Sequence, residues 1–223
     1  LTHCNHASCY SLWSMLSNYF TPSDVAEHCT RTDCWVSYLG KVHDLTGVIR
    51  ENEPRLVEVL VRNAGSDISH WFDTETRDIK LRPDPISGLP QPWRPDGMPL
   101  LHLWTPEPSL RPVDEVDTPW WRETHHCVGT LTANARPLLI VNSLTRDEHP
   151  LTVPEEETLS EIAARYAPYN RNSVDYIWKY LGRPLDMSKT LDGNGIKDDR
   201  QTLASLELPA QEWGTPKIVL VYV

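Results

Sequence analysis

The 223-residue sequence predicts an α+β protein of two small domains joined by a strap rich in proline and tryptophan. Three observations predict it. Apolar residues are patterned and proline is scarce from Tyr19 to about Arg77. More than half of the chain's 19 prolines then crowd between Asp78 and Trp121, and patterned strands with one clear helix return from about Glu123. The proline block cannot be regular helix, because each ring removes an amide donor and collides with the preceding turn. Trp93, Trp104, Trp120 and Trp121 within it argue against a solvated linker, so it reads as a strap packed on a domain or on a neighbour. The expected divisions are an N-terminal extension over 1–18, a first domain over 19–80, the strap over 81–122, and a second domain with a lead-in strand over 123–223.

In the first domain, "FTPSDVAEHC" starts a helix: Thr21 suits the cap, Pro22 the first helical position, and Asp24 the positive end of the dipole. "CWVSYL" alternates and predicts a strand anchored by Trp35; Leu39-Gly40-Lys41 turns the chain, and "KVHDLT" returns. Asp44 and Thr46 are suited to cap a following helical segment. "RLVEVLVRN" is amphipathic and ends at Asn63-Ala64-Gly65, a C-cap setting. "SDISHWF" predicts another helix, capped by Ser66 or Asp67.

In the second domain, "ARPLLIVNSLTRDEHPLTV" predicts a hairpin with a polar turn at Thr145 to Glu148. "PEEETLSEIAARYAP" predicts a helix with Pro154 at its start, three glutamates on its positive end, and Leu159, Ile162, Ala163 and Tyr166 in one stripe. "SVDYIWKYLGRPLDMSKTLDGNGI" predicts a strand, a Gly182-Arg183-Pro184 turn, a short return at Leu185 and a loop; "TPKIVLVYV" is the final strand.

The order helix, Trp-bearing hairpin, "V-x-D-L-T", helix, "A-G-x-D-I-S-x-x-F" over roughly residues 19 to 80 resembles the cytochrome b5 family. That family holds haem iron between two histidines. Where the resemblance places the first, in a His-Pro-Gly-Gly turn, this chain has Asn52-Glu53-Pro54-Arg55; where it places the second, Arg77. Arginine stays protonated and offers no lone pair. The resemblance therefore implies a cytochrome b5-like domain in which no haem is expected. His70 is the best remaining ligand, with His28 or His43 next, although His70 lies seven residues before the expected position, about 10 Å along a helix. From about residue 136 onward, strand-strand-helix-strand-short strand-strand resembles the ubiquitin-like β-grasp fold, mostly a binding module. Val223 follows no Gly-Gly tail, so conjugation is not supported within these residues.

A formal net charge of −10 supplies no positive footprint for nucleic acid or anionic lipid and favours a basic protein partner. No apolar run is long enough for a membrane span, and the opening residues carry neither a signal core nor a basic flank. Nine tryptophans against two phenylalanines fit buried packing or anchoring on a partner. His3, Cys4, His6 and Cys9 match no zinc spacing, so no metal is expected; Cys4, Cys9, Cys29, Cys34 and Cys127 are an odd set that predicts free thiols in a reducing compartment. "DGNG" at 192–195 lacks the ligand count of an EF-hand and reads as a turn. His126 and Cys127, as strand neighbours, point to opposite faces and would not share a proton. No catalytic site, enzyme motif or small-molecule substrate is expected.

The pairing of a degenerate b5-like domain with a ubiquitin-like one, with "W-V-S-Y-L-G-K-V", "G-S-D-I-S-H-W-F-D-T-E-T-R-D-I", "P-W-W" and "I-W-K-Y-L-G-R-P-L-D-M", resembles the cytochrome b5 domain-containing proteins of motile cilia. That resemblance implies a non-enzymatic component of the axoneme, partnered by radial spoke proteins; the family has also been discussed as haem-binding. A haem or redox sensor using His70, and a cytosolic adaptor acting through the ubiquitin-like domain, are the alternatives.

Overall fold

The computed structural model describes residues 18–84, 86, 88–93, 101, 118–170, 176–207, 209 and 213–222. His3, Cys4, His6 and Cys9, with nearly all of the expected extension, and the centre of the expected strap with Trp104, lie outside them. The chain divides into two compact units. The first spans Pro22–Leu131; the second combines Thr132–Val223 with β1 (Tyr19–Phe20).

The first unit begins with α1 (Pro22–Glu27), with Pro22 at the first helical position and Asp24 in the first turn. It continues through β2 (Cys29–Thr30), β3 (Asp33–Tyr38) and β4 (Lys41–Asp44). Tyr38 pairs with Lys41 across a two-residue loop in which Leu39 and Gly40 have φ of 48° and 75°. Two consecutive left-handed residues make the mirror-image turn that matches strand twist, so glycine suits the second position. At the start of α2 (Thr46–Glu51) Leu45, not Asp44 or Thr46, holds the cap position. Asp44 Oδ1, one residue earlier, accepts from the Thr46 amide at 2.9 Å, and the Thr46 hydroxyl accepts from Cys34 N at 3.0 Å. After α3 (Pro54–Arg62) the chain reverses at Gly65, φ 78°. There a Cβ would stand 2.9 Å from the Cys29 Cβ and 3.2 Å from Ala26 backbone, so no other residue fits without displacement. Gly65 N donates to Trp35 O and Ile68 N to Ser37 O, which lays residues 65–68 along β3.

Two expectations for this unit are corrected. "SDISHWF" forms only a 3-10 turn, Ser69–Trp71. Ile68, not Ser66 or Asp67, holds its cap position, and Asp67 Oδ1 accepts from Ser69 N at 2.6 Å. Phe72 then turns extended to bridge Ile79, and Asp73 Oδ1 takes the Glu75 and Thr76 amides into a side-chain turn that competes with helix. The lead-in strand, β7 (Cys127–Leu131), belongs to this unit and not to the second: it pairs antiparallel with β4 in the order β7-β4-β3-β2. An edge strand's free amides and carbonyls are the template it completes. Within the proline block, β5 (Leu81–Pro83) and β6 (Pro90–Pro92) form a small antiparallel hairpin, and Trp120 and Trp121 are buried in the unit's core with Leu60, Ile68, Trp71 and Phe72.

The second unit's sheet has β8 (Ala135–Asn142), β9 (Glu148–Pro154), β10 (Tyr176–Tyr180), β11 (Arg183–Pro184) and β12 (Lys217–Tyr222) in the order β11-β10-β12-β8-β9. The central pair β12–β8 is parallel and the other neighbours antiparallel. The stripe Leu159, Ile162, Ala163 and Tyr166 of α4 (Leu159–Tyr166) is buried with Leu138, Ile140, Trp178, Ile218 and Leu220 of that sheet. The helix starts later than expected. Pro154 ends β9, Thr158 is the cap in a reciprocal box with Glu161, and only Glu161 lies in the first turn. The three glutamates before it make other contacts: Glu156 accepts from the Thr132 hydroxyl and the Ala133 amide, Glu155 from the Asn134 side chain, and Glu157 is paired with Arg165. A short helix that no periodicity announced, α5 (Arg200–Ser205), follows the loop.

Glu157 and Arg165 are both buried, 0% and 4% exposed, with the guanidinium bonded to both carboxylate oxygens at 2.7–3.0 Å and to Tyr19 O at 3.2 Å. Removing one partner strands the other's charge. Glu157→Ala is expected to lower the unfolding free energy of the second unit by about 3 kcal/mol, measured by urea denaturation.

Candidate functional site

The two positions where the b5 resemblance places iron ligands have become structural. Asn52 ends α2 with extended backbone (φ −117°, ψ 160°), and its Nδ2 donates to Val48 O at 2.9 Å. It satisfies one of the carbonyls that every helix end leaves open. Arg77 is exposed, has φ 59°, and donates its amide to Asp73 O at 2.9 Å, while Asp73 N donates to Asp78 O at 2.8 Å. A left-handed non-glycine residue costs on the order of 1 kcal/mol, here accepted to close a tight loop.

The three candidate histidines stand on separate elements. His70, the first candidate, is exposed on the 3-10 turn and lies edge-on to Trp71 and Trp93, at ring separations of 6.0 and 5.8 Å. Its carbonyl accepts Lys80 Nζ at 2.9 Å. His28 is buried, stacked on Trp35 at 3.7 Å, with Nδ1 2.8 Å from Asp33 Oδ1. His43 is buried and stacks on Tyr38 at 4.2 Å. Burial first, then the neighbouring His126 and Lys41, pushes its imidazole down from 6.5 to about 4. The three stand on β4, on the loop before β2 and on the 3-10 turn, so the fold gathers them into no single constellation.

The core of the first unit is rich in aromatic side chains. Phe72 stacks on Tyr38 at 4.5 Å, and Trp120 meets both edge-on at 5.8 and 6.3 Å. Trp121 contacts Trp120 at 5.5 Å and donates Nε1 to Asp78 Oδ1 at 3.0 Å; Asp78 also holds Arg122. Val48 and Ile49 of α2 and Val57 and Leu60 of α3 are buried in the same cluster as Ile68, Trp71 and Phe72. That the proline block supplies core tryptophans was signalled by their number, but which ones enter was not.

Other motifs read as structural or stand apart. "DGNG" is a 3-10 turn, Asp192–Asn194, closed by Gly195 at φ 78°, with Asn194 bonded to Asp186, Lys189 and Thr190. Cys127 donates its thiol to Gly129 O at 3.5 Å, while His126 Nε2 lies 2.9 Å from Glu123 Oε2, so the two do not share a proton. Cys29, Cys34 and Cys127 are free thiols, and burial, then Asp44 and Asp33, pushes Cys34 up to about 12. Among the described residues no helix is long and apolar enough to cross a membrane.

Residues 21–80 match the family of cytochrome b5-like heme/steroid binding domains. Over 205 residues, 92% of this chain, the sequence is 40% identical to the cytochrome b5 domain-containing protein 1 of Mus musculus and to those of Xenopus laevis and Homo sapiens, covering 89%, 94% and 89% of them. A solved structure, the cytochrome b5 of Ostreococcus tauri virus 2, aligns at 30% identity over 22% of this chain and 62% of that one, with a TM-score of 0.21. The residues present do not fit a haem held by two histidines at these positions: one ends a helix, the other closes a loop, and the exposed His70 sits on the separate 3-10 turn Ser69–Trp71.

The buried neutral His43 makes the first unit acid-sensitive. Its folded value lies below the unfolded one, so the unfolded chain binds the extra proton between pH 6.5 and 4. Stability is full above that window and falls through it, by up to about 3 kcal/mol. His43→Gln is expected to flatten this part of the profile, measured by chemical denaturation at successive pH values.

Proposed function

The chain belongs to the cytochrome b5 domain-containing protein 1 family, and on that premise we propose that it is a non-enzymatic structural and regulatory component of the motile cilium axoneme. In this reading it sits with radial spoke proteins and acts through protein–protein contacts. The axonemal place rests on the family resemblance of the sequence. The mode of action rests on one observation: the b5 frame keeps its sheet, helices and core, while both iron-ligand positions are spent on Asn52's helix end and Arg77's loop. A frame without its cofactor chemistry acts through its surface.

We read the second unit as a ubiquitin-like β-grasp. The order β11-β10-β12-β8-β9, with a parallel central pair and one helix packed on the sheet, supports it. The net charge of −10 favours basic partner surfaces. The test is retention: a fluorescently tagged copy expressed in ciliated cells is expected to stay on demembranated axonemes through a high-salt wash. A pool that washes out entirely would contradict the axonemal role and favour a soluble adaptor.

A further inference from the structure

The 3-10 turn Thr124–His126, just before β7, gathers three metal-ligating side chains that neither the fold nor the proposed function uses. One donor atom from each of Glu123, His125 and His126 lies within 4.8 Å of the other two. Glu123 Oε2 is 2.9 Å from His126 Nε2 and 3.5 Å from His125 Nε2, and the imidazole rings are 3.8 Å apart. Three ligands around a tetrahedral ion at ~2.1 Å stand roughly 3.4 Å from one another. The two oxygen–nitrogen separations already bracket that edge. We propose that Glu123, His125 and His126 bind a divalent transition-metal ion of the zinc type, with water in the fourth position.

A local ion pair between Glu123 and His126 would account for one imidazole. It leaves the other unexplained: the His125 side chain is 69% exposed and free to point into water, yet its Nε2 turns to the same carboxylate oxygen, farther away than a strong hydrogen bond. The donor set of two imidazoles and one carboxylate is the three-ligand arrangement that zinc takes with an open position, and the exposure of His125 places that opening toward solvent. The mount is firm. On one side Trp120 and Trp121 are buried, and Asp78 holds both Trp121 Nε1 and the Arg122 guanidinium. On the other side Cys127 enters the β7–β4 ladder opposite His43. Such preorganisation lowers the ordering cost of ligation.

The full chain, stripped with a chelator, would be titrated with Zn²⁺ by calorimetry and with Co²⁺ by visible absorption. One equivalent is expected to bind, with visible cobalt bands of a four-coordinate site. His125→Ala and Glu123→Gln should each weaken binding ~10-fold or more. His125→Ala removes an exposed side chain, and an unchanged circular dichroism spectrum would separate lost ligation from lost fold. A variant lacking His3, Cys4, His6 and Cys9 should bind as the parent does. Absence of binding, binding unaffected by His125→Ala, or binding lost with the N-terminal residues would each overturn the site.

Discussion

The Tyr38 hydroxyl donates to the Trp121 carbonyl at 2.8 Å inside the core, joining residues 83 apart in the chain. An unpaired buried hydroxyl or carbonyl costs ~1–3 kcal/mol, so this bond fixes where the Trp120–Trp121 segment can enter. The rest of the first unit follows from it. The Tyr38 ring packs on Phe72 and His43, the two tryptophans close over Phe72, and the chain leaves them in position to add β7 to the edge of β4. Burial, above all, holds the Tyr38 hydroxyl's pKa well above its usual value, so it stays a donor.

That arrangement shows how the b5 frame can hold together through its own side chains. The core is built from Leu45, Val57, Leu60, Ile68, Trp71 and Phe72, and the two positions matched to iron ligands hold residues that serve the backbone. Asn52 completes a helix end and Arg77 a loop, each with a hydrogen bond in hand. Val48 and Ile49 of α2, Val57 and Leu60 of α3, and Ile68, Trp71, Phe72 and Ile79 pack into one cluster.

Much of this was legible in local chemistry. The turn at Leu39-Gly40 and the reversal at Gly65 are where their residue types announce them. The second Tyr-Leu-Gly turn instead closes at Leu181-Gly182, one residue before the expected Gly182-Arg183-Pro184, so that Arg183–Pro184 is already the return strand. What stayed hidden depends on contacts between distant segments. β7 is apolar enough for either unit, and only the open edge of β4 assigns it. The turn at Ser69–Trp71 stops because Phe72 meets Ile79 and Asp73 captures amides, events that helical periodicity does not register. Pro154 and the glutamates after it satisfy every compositional cue for a helix start, yet they serve β9, Thr132 and Arg165. Among the sites, Asn52 and Arg77 were marked by their place in the motif, whereas the convergence of Glu123 with His125 and His126 required the turn's geometry.

The central claim is that this b5 frame is filled and ligand-free at the iron positions. Absorption spectroscopy of the purified protein after reconstitution with haem, oxidised and reduced, beside His70→Ala, tests it most directly. The account predicts the broad spectrum of loosely associated haem, the same in both proteins. A sharp two-ligand b-type spectrum that disappears in His70→Ala would contradict it.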